Sequence, residues 1–195
     1  PRQVPLWQQY WECRDISDQE KHLHPYRQFL NTVAKAGLAA ASLGVKVFNV
    51  HAGGGRKMME AVRAEMNKLQ NPPMILAVTV LTSMGAEDLA ETGITVTPGQ
   101  QVARLAKLAL DSGMDGVVAS PLEIEIIRSV CGENFKILTP GIRPASSSSD
   151  DQKRIATPSA ALKAGSDYLV IGRPVTGAPD RKKAFLDILA EIKAS

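Results

Sequence analysis

The side chains best able to do chemistry in this chain lie in two short segments rich in glycine, proline and arginine. The first is Thr-Pro-Gly-Ile-Arg-Pro at 139–144, followed by a polar loop at 145–151 with four consecutive serines, and then Gln152. The second is Ile-Gly-Arg-Pro at 171–174. Each follows an apolar run, so each reads as the turn that leaves a strand. Gly172 lets a ligand approach the backbone, and Arg173 offers a planar fork of donors that can clamp an oxyanion through two bonds. Gln152 adds amide donors and acceptors without adding charge. Four serines in a row suit a flexible loop that closes over a ligand. Either segment alone is an ordinary turn with a solvated arginine or a surface loop. At consecutive strand ends of one repeating pattern, the pair points to phosphate binding.

Other polar residues fall on the same presumed rim. Thr82 and Ser83 follow one apolar run, His51 closes another and Ser120 a third. Hydroxyls in such places suit the edge of a heterocyclic base, and they equally suit capping of the next helix. His51 reads first as a hydrogen-bonded structural histidine. No carboxylate pair and no nucleophile–base pair stands out at this rim.

The elements that position these residues follow from periodicity. Apolar runs at 45–51, 74–81, 116–120, 135–139 and 168–172 are continuous rather than alternating, which suits parallel strands covered on both faces. Between them lie helical patterns at 56–69, 98–112, 121–130, 158–164 and 179–192, several opened by proline, with Gly113 and Gly165 as stops. One more helix is expected at 28–43, ended by Gly44. The result is an α/β chain with a βα repeat. A (β/α)8 barrel takes about 250 residues, roughly 30 per unit. The expectation is therefore a partial (β/α)8 barrel of about five parallel strands, equivalent to strands 4–8, with helices outside. Three further units would need about 75 to 90 residues on that scale, more than the stretch ahead of position 28 holds.

Residues 1–27 read differently. They hold both tryptophans, two of the three tyrosines and two of the three histidines, without a strand-like run or a clear period. The expected division is an atypical segment at 1–27, irregular or weakly helical, and a barrel-like region at 28–195. The segment could cover an open barrel edge, or it could be foreign or out-of-frame sequence. An open sheet exposes two strand edges, so partner chains or aggregation are expected.

Composition narrows the class. The chain is 44% hydrophobic and 22% charged with a net charge of +3, and its basic residues are interspersed with acids. No basic stripe suggests nucleic acid, and no apolar run is long enough to span a bilayer. The two cysteines, Cys13 and Cys131, form no metal-ligand pattern and read as reduced thiols, which fits a cytoplasmic location.

Five motifs together carry a resemblance. They are Asn-Val-His-Ala-Gly-Gly-Gly at 49–55, Ala-Val-Thr-Val-Leu-Thr-Ser-Met at 77–84, and Asp-Gly-Val-Val-Ala-Ser at 115–120. Thr-Pro-Gly-Ile-Arg-Pro at 139–144 with Asp151 and Gln152, and Asp-Tyr-Leu-Val-Ile-Gly-Arg-Pro-Val-Thr at 167–176, complete the set. From about Asn31 onward the chain resembles orotidine 5'-monophosphate decarboxylase. Related phosphate barrels such as hexulose-phosphate synthase share the glycine–arginine ending but not the whole set.

The resemblance implies a cofactor-free, metal-free lyase of pyrimidine biosynthesis that converts orotidine 5'-monophosphate to UMP and CO2. It also implies a homodimeric barrel with active sites at the subunit interface. Carried over, Thr82 and Ser83 contact the pyrimidine and Arg143 lies in the closing loop. Gln152 bridges base and phosphate, Gly172 and Arg173 bind the phosphate, and Thr32 approaches the ribose in the partner subunit's site. The departures lie further forward. The family carries Asp-x-Lys-x-x-Asp-Ile-Pro before its Asn-Thr, with a lysine that protonates C6 and aspartates that hold it. Here those positions are Leu23, Pro25 and Gln28, with Leu30 in place of the proline. Ser146 and Asp150 also replace usual glycines of the closing loop. Losing one such preorganised charged group commonly lowers a rate by ~10²–10³. The expectation is a retained nucleotide site with little or no decarboxylation. The alternative is a non-catalytic phosphate- or nucleotide-binding or interaction protein on the same truncated barrel.

Overall fold

The computed structural model describes residues 25–144 and 155–193, except for the side chains of 25–29. The expectations for residues 1–24, including Leu23, for Ser146, Asp150 and Gln152, and for the side chains of Pro25 and Gln28, lie outside the described residues.

Helix α1 (Pro25–Ser42) leads into β1 (Val47–His51), α2 (Arg56–Met66) and β2 (Met74–Val78). Two helices follow, α3 (Ala86–Glu91) and α4 (Pro98–Asp111), then β3 (Gly116–Val118), α5 (Ile124–Cys131) and β4 (Lys136–Thr139). The chain closes with α6 (Pro158–Lys163), β5 (Tyr168–Leu169), α7 (Arg173–Thr176) and α8 (Arg181–Lys193). The strands form one sheet in the order β1-β2-β3-β4-β5, and every pairing is parallel. Sequential parallel neighbours joined through helices make an open segment of a (β/α)8 barrel.

Local chemistry explains where the helices begin and end. Thr97 accepts from Gln100 N at 3.3 Å while the Gln100 side chain accepts from Thr97 N at 3.1 Å, and Pro98 fills the first turn. Thr157 and Pro158 repeat the device, with Ala160 N donating to Thr157 Oγ1 at 3.2 Å. The reciprocal cap at Thr97 and the one-way cap at Thr157 satisfy donors that a helix start would leave open. After α4 and α6 the backbone reverses at Gly113 (φ 78) and Gly165 (φ 102), a left-handed conformation that other residues adopt at a cost.

The core lies between the sheet's outer face and the helices. Ile75, Ala77, Val117 and Ile137 point outward and bury against Met59, Val62, Ala106 and Ile127. Residues of the opposite parity, such as Leu76, Val78 and Val118, look to the inner face. On β1 that parity is exposed, at Val47, Asn49 and His51.

One device ties the N-terminal ends of the strands twice. Asp115 donates its N–H to Ile75 O (3.0 Å), and its Oδ2 accepts from Ile75 N (2.7 Å) and Arg63 Nη2 (2.6 Å). Asp167 does the same to Ile137, donating to its carbonyl (3.0 Å) and accepting from its N–H (2.9 Å) and from Arg128 Nη2 (2.8 Å). Lys136 Nζ adds a bond to Asp167 Oδ1 at 2.9 Å. A charged acceptor with several donors is among the stronger interactions available to a fold. Both aspartates follow a helix-stopping glycine by two residues, so the repeat is visible in the sequence once its role is known.

The structure refines the element boundaries. β2, β3 and β5 end earlier than their apolar runs, and residues such as Val80, Leu81 and Ile171 follow the strands instead. Pro121 opens a 3-10 turn at Pro121–Glu123 before α5 begins. The short helices α3 and α7 are additions that periodicity did not indicate.

Candidate functional site

Parallel strands deliver their C-terminal ends, and the loops that follow, to one rim. At that rim the exits of β2, β3 and β4 surround a cleft of ≈ 290 Å³ lined by Val78, Val80, Leu81, Thr82, Ser83, Val118, Ala119 and Pro140. The walls are apolar and the hydroxyls come from Thr82 and Ser83. A flat heterocycle with polar edges suits such a site, because apolar walls supply contact while a few placed polar groups fix orientation. Thr82 is buried and Ser83 is exposed.

The cleft's shape follows from the rim bonds. Thr79 N (3.1 Å) and Thr79 Oγ1 (2.9 Å) both donate to Val118 O, joining the β2 exit to β3. Ala119 N donates to Leu138 O at 3.1 Å, joining β3 to β4. Met84 N closes a turn onto Leu81 O at 2.9 Å, and the Asp88 carboxylate accepts from Gly85 N at 2.6 Å as α3 begins. Gly116 permits the close approach of β3 to β4, since a Cβ there would lie 2.1 Å from Lys136 O.

The other expected site residues are spread around this rim. Arg143 is buried, its N–H donates to Ala156 O (2.9 Å) and its Nη1 to Ile142 O (3.0 Å), so its side chain folds back on the turn after β4. Gly172 and Arg173 follow the neighbouring strand β5, with Gly172 capping α7 and Arg173 exposed as its first residue. Gly172 has φ −95, so its use lies in the open space beside it rather than in a left-handed turn. Thr32 is exposed on α1, which packs on α2 and β1 at the opposite edge of the sheet. The structure thus brings Thr82 and Ser83 into one cleft, with Arg143, Gly172 and Arg173 at adjacent strand exits and Thr32 apart.

Two of the rim's polar residues divide between structure and site. Ser120 is fully buried and accepts from Leu122 N at 3.2 Å, so its hydroxyl caps the turn that follows β3. His51 ends β1 with its side chain exposed on the inner-face parity. Sequence reasoning missed Pro140, Val80 and Leu81 as cleft walls. Pro140 stood inside a motif already singled out, whereas the other two were absorbed into a strand that proved shorter.

Asp167 and Lys136, at the other end of the strands, carry shifted charges. Partial burial pulls the Asp167 carboxyl upward, but bonds from Lys136, Ile137 N and Arg128 outweigh it and hold the group below its usual 3.8. The same Asp167 bond raises Lys136 above 10.5. Burial pushes the Cys131 thiol up. The N-terminal face of such a barrel carries stability, and its C-terminal face carries ligands. Among the described residues no group of three or more His, Cys, Asp or Glu is arranged to hold a metal ion, and no helix is long and apolar enough to cross a membrane.

Comparison with known proteins agrees with this geometry. Residues 31–188 match the sequence profile of the orotidine 5'-phosphate decarboxylase / HUMPS family. The chain is 57% identical over 162 residues to the orotidine 5'-phosphate decarboxylase of Saccharophagus degradans, covering 83% of this chain and 68% of that protein. It is 52% identical over 162 residues to that of Idiomarina loihiensis, covering 83% and 70%. Among solved structures it superposes on orotidine 5'-phosphate decarboxylase from Lactobacillus acidophilus with a TM-score of 0.72 at 37% identity, covering 84% and 70% of the two chains. The Pyrococcus horikoshii OT3 enzyme matches with a TM-score of 0.62 at 25% identity, covering 85% and 69%.

Proposed function

The chain belongs to the orotidine 5'-phosphate decarboxylase / HUMPS family, and from that premise we propose that its cleft binds a pyrimidine nucleoside monophosphate, orotidine 5'-monophosphate or UMP. The family's reaction places that ligand in pyrimidine biosynthesis. The carrying observation is the cleft itself, in which the hydroxyls of Thr82 and Ser83 stand among apolar walls at the exits of β2, β3 and β4. In this reading Thr82 and Ser83 bond the base edge, while Gln152, Gly172 and Arg173 take the phosphate. Arg143 stands at the base of the closing loop. Thr32 acts across a homodimer, at the ribose of the partner subunit's ligand.

Decarboxylation by this chain is, in the same reading, weak or absent. Breaking the bond between C6 and its carboxylate leaves an electron pair that needs preorganised charge and a proton donor nearby. Pro25, Leu23 and Gln28 stand where the family places its lysine and aspartates, and none of the three can supply a proton or a charge. Positions 25–30 also form the first turns of α1 rather than the end of a strand. Binding survives such a loss, because contacts to phosphate and base are separate from the reacting centre. The same observations favour a second reading, a nucleotide-binding or interaction protein that performs no chemistry.

Calorimetric titration with UMP and CO2 release from orotidine 5'-monophosphate test the two halves. Saturable UMP binding is expected, weakened about tenfold by Thr82→Val through loss of one hydrogen bond worth ~1.4 kcal/mol. CO2 release at the rate of the related decarboxylases would overturn the weak-activity half, and no binding of UMP would overturn the site.

A further inference from the structure

The hydroxyls proposed to read the base lie in a short connection between β2 and α3, and both ends of that connection are pinned by side chains outside the cleft lining. We propose that Thr79 and Asp88 are positioning residues, holding residues 80–84 so that Thr82 and Ser83 meet a pyrimidine ring at the correct depth. The inference rests on the nucleotide reading above and extends it to residues that need not touch the ligand.

Thr79 carries the first half of the argument. Its parity on β2 is that of Ile75 and Ala77, the face that packs on helices, and it is buried to 8% exposure. Valine would suit that place by strand preference and by burial. A hydroxyl buried there is unfavourable unless bonded, and this one donates to Val118 O at 2.9 Å. Val118 is a cleft wall. The hydroxyl bond therefore adds a second tie, beside the backbone bond from Thr79 N (3.1 Å), between the β2 exit and that wall.

Asp88 carries the second half. Its carboxylate accepts from Gly85 N at 2.6 Å, a charge-assisted bond that anchors the far end of the connection to α3. Between the two anchors, Val80 (5%) and Thr82 (8%) are buried while Leu81 (46%) is exposed, and Met84 N closes the turn onto Leu81 O at 2.9 Å. Residues 80–84 are so short a connection that a shift at either anchor carries through to Thr82 and Ser83. Recognition geometry tolerates only about 0.5 Å of drift before binding weakens.

The test measures affinities of the full 195-residue chain for UMP and for ribose 5-phosphate, with Thr79→Val, Thr79→Ser and Asp88→Asn variants and their melting temperatures. Ribose 5-phosphate lacks the base, so it reports the phosphate half alone. Expected is an UMP affinity lowered about three- to tenfold in Thr79→Val and Asp88→Asn, with ribose 5-phosphate unchanged and UMP binding restored in Thr79→Ser. Unaltered UMP affinity in both Thr79→Val and Asp88→Asn overturns the inference. So does an equal loss of both ligands accompanied by a lower melting temperature, which would make the residues general supports of the fold. If the unmodified chain binds ribose 5-phosphate but not UMP, the nucleotide reading itself has failed, a result separable from failure of the positioning role.

Discussion

At the N-terminal ends of the strands Asp167 gathers three side-chain bonds. Its two oxygens accept from Ile137 N, Arg128 and Lys136, and its side chain is only 19% exposed. Asp167→Asn removes the charge and leaves one acceptor oxygen, so we expect a loss of about 1–3 kcal/mol in urea unfolding at neutral pH. The sign of the pH dependence is fixed by the depressed carboxyl. Its contribution is fully present above the ordinary value of 3.8 and is lost as pH falls through the lower folded value. Lys136, raised above 10.5 by the same contact, contributes below 10.5 and loses that contribution as pH rises through its folded value. Urea midpoints of the Asn variant should therefore fall less steeply below pH 4 than those of the unmodified chain. Identical acid limbs would show that the pair contributes nothing there.

Elements divide into those whose signal is local and those whose signal is not. The repeat of parallel strands and helices was legible, because two-sided burial demands continuous apolar runs and the helices announce themselves with Thr97–Pro98 and Thr157–Pro158. Thr82 and Ser83 were legible as rim residues for the same reason. What stayed hidden depends on neighbours distant in sequence. The clamp from Asp115 to Ile75 spans 40 residues and gives no periodic mark, and Ser120 looks alike as a cap or as a ligand until Leu122 N is seen. Helices α3 and α7 are too short for periodicity to register. Gly116 is similar, since its necessity comes from Lys136 on another strand. Gly116→Ala should force β3 and β4 apart, with a penalty of about 1–3 kcal/mol typical of overpacking, and should weaken UMP binding because Val118 of β3 and Pro140 after β4 wall the cleft. A melting temperature equal to that of the unmodified chain would contradict the contact.

At the scale of the whole molecule, the two flanks of the sheet decide how the chain meets its surroundings. Among the described residues β1 and β5 are each paired on one side only. The backbone groups on the other side are a template for another strand. The β5 flank adds apolar area, with Tyr168 (42%) and Phe185 (51%) exposed at a hollow of ≈ 440 Å³ between β5 and α8. On the β1 flank Val47 is exposed as well. Exposed strand edges beside apolar side chains favour association over a dispersed monomer. Sedimentation velocity over a concentration series should therefore show mass increasing with concentration. Val47→Lys and Phe185→Lys, each placing a charge on one flank, should shift the distribution toward monomer. Neither substitution touches the cleft, so UMP affinity should persist in both and separate assembly through the flanks from ligand recognition. A single monomeric boundary for the unmodified chain at every concentration would mean that these flanks are covered within the chain itself.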